Sequence, residues 1–284
     1  MHRKLDSCEG CRPFIGLDVC YLKGKFGGHI LSAITRDGNE NIFLVTLGVI
    51  EQENKDSWVW FLQTFADDIG RLDELNLVFI SDRQKVIHFC LLILGFLLFE
   101  TVITFLFFES FVFILRQMVF IFVLWMFFDC IYDNQGLIST IEMLFPTVEH
   151  RFCVKHIYNN FKLNFKGLEL KVALWRCATA TTVREFEKRM QDMKELDKEA
   201  WEYLAGIQPT QWTKSHFTPR AISDCYVNNL SESFNSMILK ARDKPIIAML
   251  EWIKVRLMTR MYSKRTRIEK FTSDICPNIV QKLE

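Results

Sequence analysis

Apolar residues run almost unbroken from Phe14 to Tyr21, return from His29 to Thr35 and again from Ile42 to Ile50. Runs of this length, rich in Ile, Val and Phe and closed by turn residues, predict strands. Lys23-Gly24-Lys25-Phe26-Gly27-Gly28 separates the first two, and the hairpin signal Asp37-Gly38-Asn39 separates the second from the third. The opening is therefore a three-stranded antiparallel meander. The period then changes. Trp58, Phe61, Leu62 and Phe65 recur at i, i+3, i+4 and i+7, which predicts a helix capped by Asn54-Lys55-Asp56-Ser57 and ending near Gly70. Leu75 to Ile80 is short and nearly all apolar, as a strand covered on both faces is. Gly136 to Phe145 reads as a helix and Val148 to Val154 as a strand, giving the order β-β-β-α-β-α-β.

Beyond Tyr158 the spacing is helical, with Leu168 to Ala178, Val183 to Leu196 behind a Thr181-Thr182 cap, and Glu199 to Leu204. Pro209 breaks the run, and the stretch through Trp212, His216 and Pro219 is expected to be irregular. A helix near Asn229 carries Glu232 in its first turns, and a long helix follows from Pro245 to about Ile268. Trp58, Trp60, Trp175, Trp201 and Trp212 are expected mostly in the core, though Trp212, in a loop, could stack on a base.

Half of the 284 residues are apolar, ample for a core, and the formal charge is +1. That average hides a segment, Val86 to Gln135, in which Arg116 is the only Lys or Arg and which holds twelve of the 26 phenylalanines. The remainder is mildly cationic. Much of its excess lies late, at Lys240, Arg242, Lys244, Lys254, Arg256, Arg260, Lys264, Arg265, Arg267 and Lys270, where it forms either a solvated helix face or a surface for phosphate. Nine cysteines without a regular framework, and an N-terminus without an apolar signal stretch, predict a reducing compartment. The Cys8/Cys11 pair has no second pair at zinc-ribbon spacing to answer it.

Three acids stand out as candidate chemistry. Asp18 lies in the strand Phe14-Ile15-Gly16-Leu17-Asp18, Asp82 ends Leu77-Val78-Phe79-Ile80-Ser81-Asp82, and Glu232 sits in Asn228-Asn229-Leu230-Ser231-Glu232-Ser233-Phe234-Asn235. A carboxylate held rigidly at a buried strand suits a divalent ion, and a lone buried acid is costly without a partner. The alternatives are a loop cap or an ion pair with Arg83 for Asp82, and a capping pair with Asn229 for Glu232. Asp224 and Glu53 are the fallback acids.

The element order resembles the ribonuclease H-like fold, in which the first strand and the end of the fourth present aspartates side by side. More specific blocks are Gly16-Leu17-Asp18 with Leu22-Lys23-Gly24 and Gly27-Gly28, Glu53-Asn54-Lys55-Asp56-Ser57-Trp58, Ile80-Ser81-Asp82-Arg83-Gln84-Lys85, Glu149-His150-Arg151-Phe152-Cys153-Val154-Lys155-His156, and the block around Glu232. Together they resemble the transposase domain of plant Mutator-like elements, across most of Cys11 to Met261. The resemblance implies a DDE-type cut-and-paste transposase with Asp18, Asp82 and Glu232 as the catalytic, metal-binding triad and two Mg²⁺ or Mn²⁺ ions as cofactors. It implies DNA, both transposon ends and target, as partner, with contacts from Lys23, Lys25, Arg83, Lys85, Lys155, Lys240 and Arg242. Homo-oligomers and nuclear residence belong to the same implication. The family's Cys-x-x-His pair falls on Cys153 and His156, near the end of the last core strand, an accessory pair that could bind metal, contact the scissile phosphate or simply pack a helix end. Val19 follows Asp18 where the family has glycine or another small residue.

The expected organisation is a ribonuclease H-like core over 1–85 and 136–165, an apolar insert over 86–135, a helical insertion over 166–227 and a third-acid helix with a basic helix over 228–284. Two readings of the insert compete. Cys90 to Phe108 and Phe111 to Phe128 are each close to the ~20 residues that cross a bilayer, which would make a membrane hairpin. Alternatively the insert is a T-rich intron retained in the gene, since the family motif Ser81 to Lys85 runs straight on into a helix beginning like Gly136-Leu137-Ile138. The second is favoured, because the hairpin would drive the DNA-binding face against lipid. The family's N-terminal DNA-binding region and zinc-binding knuckle are missing, so the expectation is a truncated or inactive copy. Its alternatives are a transposase-derived regulator that binds DNA without cutting it and a membrane protein built on 90–128.

Overall fold

The structure, a computed structural model, describes residues 10–25, 27–70, 76–82, 136–219, 223–272 and 275–283. The whole insert 86–135, both of its apolar spans, and Cys8, Arg83 and Lys85 lie outside the described residues. Among the described residues no helix is long and apolar enough to cross a membrane.

Five strands form one mixed sheet. β1 (Phe14–Tyr21), β2 (His29–Arg36) and β3 (Ile42–Ile50) are the antiparallel meander. β4 (Val78–Ser81) pairs parallel with β1, and β5 (Glu149–Phe152) pairs parallel with β4, so the spatial order is β3-β2-β1-β4-β5. A parallel neighbour needs a crossover, and α1 (Lys55–Ile69) supplies it between β3 and β4. Asn54 caps α1 by accepting the Ser57 N–H at 2.8 Å, and Gly70, at φ 91°, ends it in a conformation that a Cβ would strain.

The two-residue period of the strands sorts the core into two layers. Ile15, Leu17, Leu31, Ala33, Leu77 and Phe79 pack against Trp58, Phe61, Leu62 and Phe65 of α1 and Ile141 of α2 (Gly136–Leu144). Phe14, Cys20, Ile30, Ile34, Val78 and Ile80 face the other way, onto α7 (Asn229–Met237) and α8 (Ile246–Glu269), through Leu230, Phe234, Met249 and Ile253. Burying each of these large side chains contributes about 1.5–3 kcal/mol. The α2 helix starts hard against α1: a Cβ on Gly136 would lie 2.8 Å from the Lys55 nitrogen.

A third core is entirely helical. It joins α3 (Val154–Phe161), α4 (Leu168–Thr179), α5 (Val183–Leu196) and α6 (Lys198–Ala205) around Phe161, Leu174, Met193, Leu204 and Trp212. Thr182 caps α5 and Asp197 caps α6, each by accepting a backbone N–H three residues on. A short α9 (Pro277–Leu283), which no pattern in the sequence had suggested, docks on the β2–β3 turn through Asn278, whose N–H donates to Asn39 Oδ1 at 2.8 Å.

Three expectations need correction. The strand predicted over Val148 to Val154 stops at Phe152, and a helix takes over where β structure was expected. Val154, Ile157 and Phe161 are buried at helical spacing, and the Val154 N–H donates to the Tyr226 carbonyl rather than to a strand. Trp212 is fully buried, packed edge-on to Phe186, so the core expectation holds for it and the base-stacking alternative falls. Trp60 is about half exposed, not core, because it lies on the solvent side of α1.

Candidate metal centre

The register of the central strands builds the site. In the parallel pair, Gly16 lies opposite Ile80, and continuing the same register sets Asp18 beside Asp82. Both follow the period of Phe14 and Gly16, and of Val78 and Ile80, so both belong to the face covered by α7. A strand end fixes a backbone more tightly than a loop, which is why two acids sixty-four positions apart can share one place.

Asp18 keeps some solvent contact as a residue while its carboxyl is enclosed. Burial first, and the Asp82 charge second, push that carboxyl up to about 7. Two donors hold it against this: the Val19 N–H on Oδ1 and the Asn235 amide on Oδ2, both at 2.8 Å. Asp82 meets His156, whose Nδ1 lies 2.8 Å from its Oδ1. The contact is a close ion pair, and both atoms are enclosed. Burial works to lower the His156 pKa, but the neighbouring Asp82 and Cys153 outweigh it and raise the imidazole to about 10.

Cys153 and His156 come from the cap and first turn of α3, where a three-residue step keeps both on one side. The Cys153 N–H donates to the Ser81 carbonyl at 2.9 Å, tying the start of this helix to the end of β4. The ligand atoms of Asp82, Cys153 and His156 all lie within 4.8 Å of one another. Beside them, the half-buried His150 on β5 meets the Ser81 hydroxyl at 2.8 Å, and desolvation of its ring lowers its pKa to about 4.

The α7 helix is seated by Asn228. Its Oδ1 accepts from Ser231, its Nδ2 donates to the Leu17 carbonyl at 3.2 Å, and its N–H donates to Cys153 Sγ at 3.2 Å. Gly16 makes this approach achievable, because a Cβ there would stand 2.5 Å from Asn228 Oδ1. Arg151 holds the chain leading into α7: its Nη1 donates to the carbonyls of Ser223 and Cys225, its Nε pairs with Glu149 at 2.6 Å, and its guanidinium stacks on Phe217.

Asp18 and Asp82 are thus together, while Glu232 is engaged elsewhere. Both of its oxygens accept from Lys155 Nζ at 2.7 Å, and the pair is half exposed. The turn of α7 that reaches Asp18 is the next one, through Asn235. Of the other predicted residues, Lys23 and Arg242 meet, with the Lys23 N–H donating to the Arg242 carbonyl at 2.7 Å and Arg242 Nε donating to the Tyr21 carbonyl at 2.6 Å. Lys25 and Lys240 are exposed near the same rim in sequence. Lys155, on α3, is held by Glu232 and also feels the nearby Asp82 charge. The Cys153/His156 pair lies just past the end of β5, the last core strand, on the cap and first turn of α3, and Asp224 is paired with Lys214.

Asn235, Asn228 and Arg151 were not singled out as site residues, although all three lie in sequence blocks that carry the resemblance. The signal for Asn235 was its step of three from Glu232 on one helix, which puts both on neighbouring turns of one side.

The donor set fits a divalent cation. Two close carboxylates in an enclosed space, one of them pushed up to about 7 even with the His156 cation nearby, gain from the further charge of an oxygen-ligated ion. Residues 14–91 match the family model of the MULE transposase domain. The matched stretch carries Asp18 and Asp82, and Glu232, Cys153 and His156 lie beyond it. No curated protein matches the chain.

Proposed function

We propose, from the MULE transposase domain matched over residues 14–91, that this chain is the catalytic core of a DDE-type transposase that cuts and joins DNA with divalent metal ions. The observation that carries the reading is the placement of Asp18 and Asp82 side by side on parallel strands, with the Asp18 carboxyl driven to about 7. The strand order β3-β2-β1-β4-β5 and a helix bringing a third acid to the same face support a ribonuclease H-like architecture.

Mg²⁺ or Mn²⁺ at this place would supply activation of water and stabilisation of the leaving 3′-oxygen. Asp18 and Asp82 are the ligands that the sheet holds ready. Asn235 orients Asp18, His156 restrains Asp82, and Glu232 becomes the third acid once Lys155 lets go of it. Lys23, Lys25, Lys240 and Arg242 lie along the strand-turn rim, where they neutralise phosphates and set the register of the duplex. Such catalysis is chiefly positioning and charge neutralisation, which suits a site made from strand ends. Action in the nucleus, and pairing of subunits at two transposon ends, belong to this reading.

Nicking of supercoiled plasmid by the purified chain in Mg²⁺ or Mn²⁺ tests it. The expected result is metal-dependent nicking that is lost in Asp18→Asn and in Asp82→Asn. Salt-sensitive DNA binding with no nicking under either ion would instead make the chain a non-catalytic DNA-binding protein of transposase descent.

A further inference from the structure

We infer that Asp82, Cys153 and His156 form a site for a thiophilic divalent ion of the zinc class, sharing only Asp82 with the pair of aspartates. The inference goes beyond the proposed function and does not depend on strand cleavage.

Its basis is the convergence of one oxygen, one sulfur and one nitrogen donor within 4.8 Å of one another. They come from two elements tied together: the Cys153 N–H bonds the Ser81 carbonyl, fastening the start of α3 to the end of β4, just before Asp82. Cys153 is fully buried, which keeps competing water from the sulfur, while His156 is partly exposed. The Asn228 N–H donates to the Cys153 sulfur, and the helix N-terminus beside it favours negative charge there. An outer hydrogen bond of this kind orients a metal-bound ligand and tunes it. Asp82 Oδ1 and His156 Nδ1 stand 2.8 Å apart with both atoms enclosed, and a bound ion would take the place of the proton between them. Three protein ligands of mixed N, O and S character, with a fourth position left for solvent, suit zinc. The sulfur selects against Mg²⁺, which takes oxygen ligands. The pair Asp18 and Asp82, by contrast, is oxygen only.

Cobalt(II) replaces zinc and reports a thiolate ligand by a charge-transfer band in the near ultraviolet. Titrated into the reduced full-length chain, Co²⁺ is expected to give that band at one equivalent, to lose it when Zn²⁺ is added, to lose it in Cys153→Ser, and to keep it in Asp18→Asn. Absence of the band in the wild type, or its survival in Cys153→Ser, would overturn the inference. X-ray absorption on the wild type with one equivalent of Zn²⁺ decides independently of any variant's folding: a single sulfur with nitrogen and oxygen neighbours supports the site, whereas no sulfur, or several, rejects it. Plasmid nicking measured on the same preparations separates the two proposals, since cleavage without the cobalt band removes this inference alone, and the band without cleavage removes the enzymatic reading alone.

Discussion

Asn235 and Lys155 each engage one of the candidate acids, Asp18 on β1 and Glu232 on α7. The Asn235 amide on Asp18 favours the charged carboxylate against burial and the Asp82 charge. A hydrogen bond to a charged group is worth about 1.5–3 kcal/mol, and 1.4 kcal/mol is tenfold in binding. Asn235→Leu is therefore expected to weaken Mn²⁺ binding by about tenfold while leaving the fold intact, as calorimetric titration and circular dichroism would read. Lys155 acts on Glu232, and since the pair is half exposed its net worth to stability is about 0–1 kcal/mol. Lys155→Ala should leave the melting temperature nearly unchanged and strengthen Mn²⁺ binding, because Glu232 is freed to join the aspartates. Unchanged Mn²⁺ affinity in that variant would mean that Glu232 does not belong to the ion site.

At the scale of elements, α7 depends on two contacts that a sequence pattern does not display. Gly16 looks like an interruption in an apolar strand, but it is the place where Asn228 crosses against β1. Gly16→Ala forces the helix away and is expected to cost about 1–3 kcal/mol, measured by denaturant unfolding, with a larger loss of Mn²⁺ affinity than any strand-end alanine elsewhere. Arg151 is fully buried with Glu149 as its ion partner, and removing one member of a buried pair costs about 3–5 kcal/mol. Arg151→Met should destabilise the chain by that order, which the same unfolding curves check. Period and turn chemistry made β1, β3, α1 and α5 legible almost to the residue, because each has a cap or turn and one clean period. The start of α3 was not legible: Phe152-Cys153-Val154 is an apolar run, and a strand continuing and a helix beginning look alike over so short a stretch. The two aspartates could be read from strand ends, whereas the Asn235 contact and the capture of Glu232 by Lys155 depend on which turn of α7 faces β1. Only tertiary packing decides that.

For the whole molecule, acid sensitivity follows from His150. Burial lowers its pKa from 6.5 to about 4, so the unfolded chain takes up a proton that the folded chain refuses. Its contribution is fully present above pH 6.5 and is lost as pH falls towards about 4, each unit of separation being worth about 1.4 kcal/mol. Unfolding midpoints measured across that window should drop, and His150→Gln should flatten the drop. The insert 86–135 bears on the same scale, since an apolar segment of that size next to Asp82 invites association. Sequencing the transcript across codons 80 to 140 is expected to show Lys85 joined to Gly136, and a chain so joined should be the more soluble of the two. The central claim, that Asp18 and Asp82 together hold a divalent ion, is tested most directly by equilibrium Mn²⁺ titration of the wild type beside Asp18→Asn and Asp82→Asn. Saturable binding in the wild type that is lost in each variant is the predicted result. Equal Mn²⁺ affinity in all three proteins would contradict it.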